Sequence, residues 1–128
     1  MTTIFINQAL NKKPLTIFGD GKQTRDFVWV RDVAKANVLA AFNKKTKGEV
    51  FNIASGKETT VNEIADAVNK HIVGIKKYLP ATGTEVVRAK ADITKAQSVL
   101  KYKPEGNLVK MLPEIIDWWK NENKKQVV

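Results

Sequence analysis

Apolar positions along the chain follow two patterns: stripes with the 3.6-residue period of helices, and short β-branched or aromatic runs that read as strands. The clearest stripe is Val61, Ile64, Ala65, Val68 and Ile72, spaced i, i+3, i+4, i+7, i+11 as in an amphipathic helix. Thr60-Val61-Asn62-Glu63 at its start has the form of a capping box, in which the hydroxyl and the carboxylate satisfy two free backbone donors. A last helix places Leu108, Met111, Leu112, Ile115, Ile116 and Trp119 on one face and is expected to be the largest single apolar contribution to the core. Pro113 should kink that helix or mark its first turn, and the polar Asn121 to Val128 segment should fray.

Three more helices are predicted. One runs from about Thr3 to Asn11 and stops before Pro14, because the residue before proline avoids the helical region. Another runs from Val33 to about Asn43, with Asp32 as its N-cap and Val33, Ala36, Ala40 and Ala41 turned inward. A short one follows Asp92 as cap and carries Ile93, Ala96, Val99 and Leu100 until Pro104 and Gly106 break the chain. Leu15–Phe18, Phe27–Val30, Val50–Ile53 and Ile75–Leu79 read as strands. The order predicts a mixed α/β (α+β) fold, a single small domain over residues 1–128 with short strands and about five helices.

The chain has 128 residues, enough for one domain with a core, and its 43% hydrophobic content includes no apolar run long enough to cross a bilayer. No secretory signal pattern opens it, so a cytoplasmic location is the expectation. Without cysteine it has no disulfide, thiol nucleophile or zinc–thiolate site. The net charge of +9 raises nucleic acid as a partner. Against that, the lysines come in ones and twos, as Lys12-Lys13 and Lys76-Lys77, with no continuous basic helix or finger spacing. A solvated basic surface fits better, and such a surface still attracts phosphorylated metabolites.

Candidate chemistry concentrates in the run from Gly19 to Ala34. Glycines on both sides of Asp20 supply the backbone angles of a tight turn. Arg25 then precedes a β-favouring run, so its guanidinium is anchored at a strand edge, where it can hold two oxygens of a phosphate. His71 is the only histidine and reads as a surface residue. Asp20, Asp26, Asp32 and Asp92 are better explained by turns and caps than by paired acid–base work. No metal-ligand spacing stands out, and no catalytic residue is assigned.

Several motifs occur in one order: Lys13 to Phe18, Arg25-Asp26-Phe27, Asp32-Val33-Ala34, Gly48 to Gly56, Thr60 to Ile64, Ala91 to Ala96, Leu100 to Pro104, and Ile115 to Trp119. Together they resemble the C-terminal half of NAD-dependent sugar-nucleotide epimerases and dehydratases, the extended short-chain dehydrogenases/reductases typified by UDP-glucose 4-epimerase. The Gly-rich dinucleotide turn and the Tyr-x-x-x-Lys pair of that family do not occur here. Gly19-x-Gly21 lacks the third glycine, and Tyr78 and Tyr102 are followed four residues on by Thr82 and Gly106.

The resemblance implies a domain that grips a UDP- or dTDP-sugar, inactive alone, while NAD is held by a Rossmann half outside these residues. It implies that Arg25 contacts the pyrophosphate and that Thr16, Ile17 and Phe18 lie along the base, largely through backbone groups. Phe27 falls where a tyrosine often flanks the nucleotide. Thr82-Gly83-Thr84-Glu85 stands where many relatives carry Arg-Pro-Gly and an acid, so one phosphate contact is lost. Arg88 matches a further arginine able to compensate. The missing contact implies weak affinity for a free nucleotide sugar, since an ionic phosphate contact is worth on the order of 1.5–3 kcal/mol. Two other readings remain beside this one: a protein-interaction module or split subunit that docks on a separate Rossmann chain or forms a homodimer, and a basic nucleic-acid-binding domain.

Overall fold

The computed structural model describes residues 1–46, 48–84 and 86–125, so Glu85 and the Gln126–Val128 end of the polar tail lie outside the described residues. The elements are α1 (Thr2–Leu10), β1 (Leu15–Phe18), β2 (Thr24–Arg25), α2 (Val30–Phe42), β3 (Thr59–Thr60), α3 (Val61–Asn69), β4 (Lys76–Leu79), α4 (Thr94–Leu100) and α5 (Leu108–Lys125). The fold is mixed α/β, with five helices and short strands. The chain divides into two compact units, one of residues 1–23, 60–87 and 109–128, the other of residues 24–59 and 88–108.

The first unit is built on a parallel pair, β1 beside β4, with Leu15 opposite Lys76 and Ile17 opposite Tyr78. Alternation turns Leu15 and Ile17 into the core, where both are fully buried. Helices α1 and α3 pack over that strand and each other with Phe5, Ile6, Val61, Ile64, Ala65 and Val68. The capping box forms as expected: the Glu63 N–H donates to Thr60 Oγ1 at 3.1 Å, and the Thr60 N–H to Glu63 Oε2 at 2.7 Å. Those donors hold the Glu63 carboxyl below its usual range. The apolar ranking of the helices is reversed, however. Helix α3 buries five residues and α5 only Leu112 and Ile116 among those described, because Met111, Ile115 and Trp119 stay half-buried. Pro113 lies past the first turn of α5, so it does not mark that turn.

In the second unit Ala36, Ala54, Ile93, Ala96, Leu100 and Tyr102 form the core, and α2 packs on α4. Tyr102 is almost fully buried and donates its hydroxyl to the Ala54 carbonyl at 2.9 Å, which is how a buried phenol avoids an unmet polar group. Burial raises its pKa.

Several expectations change here. Helix α2 begins at Val30 with Trp29 as its boundary residue, so Asp32 is not its N-cap. The Asp32 carboxylate instead accepts the Gly106 N–H at 2.8 Å and the Glu105 N–H at 3.2 Å, while its charge sits in the first turn where the helix dipole favours it. Ala41 faces solvent. The predicted Phe27–Val30 strand is replaced by the two-residue β2, because Val30 is drawn into the helix. Val50–Ile53 joins no ladder among the described residues: Lys95 Nζ donates to the Val50 carbonyl at 3.0 Å, and Asn52 Nδ2 donates to the Asp92 carbonyl at 3.2 Å. Asp92 is likewise not the N-cap of α4, which is Ile93; its Oδ1 accepts the Thr94 N–H at 2.9 Å from one residue before the cap.

Asp26 is the polar centre of this unit. Its Oδ1 accepts the Ser55 N–H at 2.9 Å and the Ser55 hydroxyl at 2.5 Å, and its Oδ2 accepts the Gly56 N–H at 3.0 Å and the Ala91 N–H at 3.3 Å. Four donors from two distant segments thus converge on one side chain. Turn and capping roles do not describe either Asp26 or Asp32, since their partners lie 29 to 65 and 73 to 74 residues away.

Asp26→Ala should lower unfolding stability by about 3 kcal/mol or more, because several half-buried donors lose a charged acceptor at once; the urea midpoint measures it. Lys101, at the end of α4, has φ +58. A left-handed residue costs roughly 1–2 kcal/mol for a side chain, against about 0.5–1 for glycine's extra unfolded freedom. Lys101→Gly should therefore stabilise the chain by about 0.5–1 kcal/mol, read as a higher thermal midpoint.

Candidate functional site

The predicted site residues fall on both units, and each group is described where it lies. In the first unit, β1 carries Thr16, Ile17 and Phe18. The Leu15 N–H donates to Ile75 and the Gly19 N–H to Leu79, so alternation turns the backbone groups of Thr16 and Phe18 to the other edge. Two glutamine side chains meet that edge. Gln8 accepts the Thr16 N–H at 3.1 Å and donates to the Thr16 hydroxyl at 3.2 Å, and Gln23 donates to the Phe18 carbonyl at 2.9 Å. The Thr16 carbonyl and Phe18 N–H lie on the same edge. The Ile17 side chain is buried and, by the same alternation, its backbone groups face β4, so Ile17 presents nothing to the outer edge, whereas the Phe18 ring is partly exposed.

Beside this strand are two grooves that share Phe18 and Gln23. One, about 370 Å³, is lined by Ile4, Phe5, Gln8, Thr16 and Val61 as well. The other, about 590 Å³, adds Asp20, Lys22, Ala81 and Val87. Between β1 and Gln23 the glycine turn has positive φ at Gly19 and Gly21, as expected. Asp20 Oδ1 accepts the Lys22 N–H at 2.9 Å, and those bonds hold its carboxyl below the usual range. A side chain at Gly21 would collide with Asn62, which also donates its amide to the Asp20 carbonyl at 2.9 Å. Tyr78 donates its hydroxyl to Asn62 Oδ1 at 2.9 Å. The turn is therefore packed against the start of α3 by Asn62. It does not form the open cradle that a dinucleotide pyrophosphate needs, and the residues present do not fit NAD.

In the second unit Arg25 lies on β2, half-buried, with Nη1 donating to the Thr24 carbonyl at 2.7 Å. The expected anchoring on a strand is present. Phe27 follows, half-buried and outside the ladder. Arg88 is brought toward the same strand by an acid that sequence reasoning missed. Glu58 Oε1 accepts the Thr24 hydroxyl at 2.7 Å and Arg88 Nε at 2.9 Å, and Glu58 Oε2 accepts Arg88 Nη2 at 2.6 Å. These donors, the Arg88 guanidinium first, hold the Glu58 carboxyl at about 2. Thr24 is thus bonded to Arg25 through its carbonyl and, by way of Glu58, to Arg88 through its hydroxyl. A capping run ahead of α3 gave no hint that its preceding glutamate reaches back 34 residues to Thr24. Thr82, at the position of the expected arginine, is exposed and shares a hydrogen bond with Thr84 at 2.9 Å.

His71 is exposed, as expected. Among the described residues no group of three His, Cys, Asp or Glu is placed to hold a metal, and no helix is long and apolar enough to cross a membrane.

The model of the NAD dependent epimerase/dehydratase family matches residues 1–54. A Methanocaldococcus jannaschii protein named "Putative UDP-glucose 4-epimerase" is 45% identical over 125 residues, which is 95% of this chain and 39% of that protein. Among solved structures, UDP-glucose 4-epimerase of Thermotoga maritima, with UDP-glucose, superposes with a TM-score of 0.84 at 32% identity. UDP-glucuronic acid 4-epimerase of Bacillus cereus, in complex with UDP-glucuronic acid and NAD, gives 0.84 at 36%. Each of these two comparisons covers 94% of this chain and 39% of the other. The chain therefore spans about two-fifths of its relatives' length. Since sequence and backbone agree over nearly all of it, the chain belongs to the NAD-dependent epimerase/dehydratase family of extended short-chain dehydrogenases/reductases.

Proposed function

We propose that this chain is the nucleotide-sugar-binding part of a UDP-sugar epimerase or a related enzyme, the C-terminal portion of the family's fold, and that it binds without catalysing when alone. The observation that carries the reading is the outer edge of β1. There a carbonyl acceptor on Thr16 and an N–H donor on Phe18 lie side by side along grooves walled by Phe18 and Gln23. Uracil and thymine each present an imide N–H beside a carbonyl oxygen, the complement of that pair. Adenine's amino N–H beside N1 meets the same pair, so this edge recognises a planar base edge without choosing its class. Apolar walls around a few fixed polar groups are the usual build of a small-molecule site.

Arg25 is the cation for the pyrophosphate, and its position on a strand limits the side-chain freedom lost on binding. Phe27 flanks the nucleotide as an apolar surface, having no hydroxyl to offer. The Thermotoga and Bacillus structures, which hold UDP-glucose and UDP-glucuronic acid, support the substrate class. The chemistry of a redox epimerase is supplied by NAD, and the glycine turn here, filled by Asn62, does not fit it.

Calorimetric titration tests the reading. UDP-glucose, UDP-glucuronic acid and dTDP-glucose should bind in the millimolar range or tighter. Arg25→Ala should weaken UDP-glucose by roughly 10- to 100-fold, the equivalent of a charged hydrogen-bonding contact. A folded chain that binds none of them at several millimolar would defeat the proposal.

A further inference from the structure

Arg88 is the one site residue whose surroundings alter the role expected of it. Its Nε and Nη2 form the fork with which a guanidinium grips two oxygens of a carboxylate or phosphate, and both are already bonded to Glu58 at 2.9 and 2.6 Å. The pair is asymmetric in exposure. The Arg88 side chain is 75% exposed and Glu58 only 22%, because Glu58 is also held by the Thr24 hydroxyl at 2.7 Å. The acid is therefore the fixed partner and the arginine the movable one. Arg25 bonds to Thr24 as well, its Nη1 donating to the Thr24 carbonyl at 2.7 Å.

We propose that Glu58 is an affinity-setting residue, a built-in carboxylate that occupies the fork of Arg88 and keeps this arginine from gripping the pyrophosphate of the ligand. This rests on the nucleotide-sugar reading above and deepens it. A diphosphate that reaches Arg88 must displace Glu58 from the fork or bind through the remaining guanidinium edge beside a fixed negative charge. Either route costs binding energy, so Arg25 carries the anion contact and Arg88 adds little while Glu58 is ionised. The arrangement holds the arginine in the unliganded chain at the expense of affinity. Glu58→Gln removes the competing charge and keeps an oxygen able to accept from Thr24, so it leaves the local hydrogen bonding of β2 in place.

The test is a four-protein cycle: wild type, Glu58→Gln, Arg88→Ala, and the double variant. Each is titrated with inorganic pyrophosphate and, separately, with UDP-glucose, at low and at high salt. Glu58→Gln should bind both probes about three- to tenfold more tightly at low salt, with a smaller gain at high salt. Arg88→Ala alone should change affinity by less than about twofold, and in the double variant the gain should vanish. A merely structural role for Glu58 predicts the opposite sign, weaker binding together with a lower thermal midpoint. Equal or weaker binding by Glu58→Gln, or a gain that persists without Arg88, overturns the inference. A gain seen with pyrophosphate while UDP-glucose binds to no variant upholds the role of Glu58 and defeats the nucleotide-sugar reading. Absence of binding by either probe to any variant overturns both.

Discussion

The convergence of backbone donors on the Asp26 carboxylate is the constraint on which the second unit depends. The segments around Ser55-Gly56 and Ala91 belong to no ladder, so no regular structure satisfies their N–H groups. One ionised side chain does so instead, with bonds of 2.5 to 3.3 Å. Because a buried or half-buried donor without an acceptor costs about 1–3 kcal/mol, the carboxylate replaces what a neighbouring strand would otherwise supply. Its position also fixes the residue before it. Arg25 leaves β2 in a set direction because the next side chain is tied at both oxygens. Asp32 repeats the device at Glu105 and Gly106, where only glycine fits against the Trp29 and Asp32 side chains. A short unit with few strands thus gets its order from charged acceptors aimed at backbone.

The first unit solves the same problem with amide side chains. A two-stranded parallel pair has two free edges, and exposed edges invite pairing with other chains. Gln8 and Gln23 sit on the outer edge of β1 and take the Thr16 N–H and the Phe18 carbonyl. They block strand addition there while leaving the edge's other groups beside open grooves. The same side chains that protect the edge also line the grooves beside it, where the proposed function places a planar base.

What could be read from the chain divides along the range of the interaction. The Thr60–Glu63 box, the β1 and β4 runs and the positive φ of Gly19 and Gly21 depend on residues a few positions apart, and all were legible. The α3 stripe was legible too, but its rank against α5 was not, since burial depends on what each helix faces. Asp32 has the sequence form of an N-cap, and nothing local reveals that its carboxylate is claimed by a backbone 73 residues on. The Val50–Ile53 run has the composition of a strand, yet a strand needs a partner, and none is present among the described residues. Of the candidate site, the anchoring of Arg25 was read from a Phe27–Val30 strand that does not form, and the two-residue β2 it lies on was not legible. The Glu58 bond to Arg88 joins residues 30 apart and lay beyond any spacing rule.

Net charge describes this molecule poorly as a binder of anions. The chain carries +9, but several of its cations are already matched to acids: Lys22 with Asp20, Lys76 with Asp66, Lys35 with Glu105 and Arg88 with Glu58. Exposed pairs of this kind add little stability, about 0–1 kcal/mol each, and salt screens them. Their larger effect is on the field, because a paired lysine or arginine attracts a phosphate less than a solitary one. Diffuse attraction by the remaining lysines raises the encounter rate with any polyanion, nucleic acid included, and selects none. On the proposed nucleotide-sugar reading, retention comes from groups that cannot rearrange: the polar groups along the outer edge of β1 in one unit, and in the other the Arg25 guanidinium bonded to the Thr24 carbonyl.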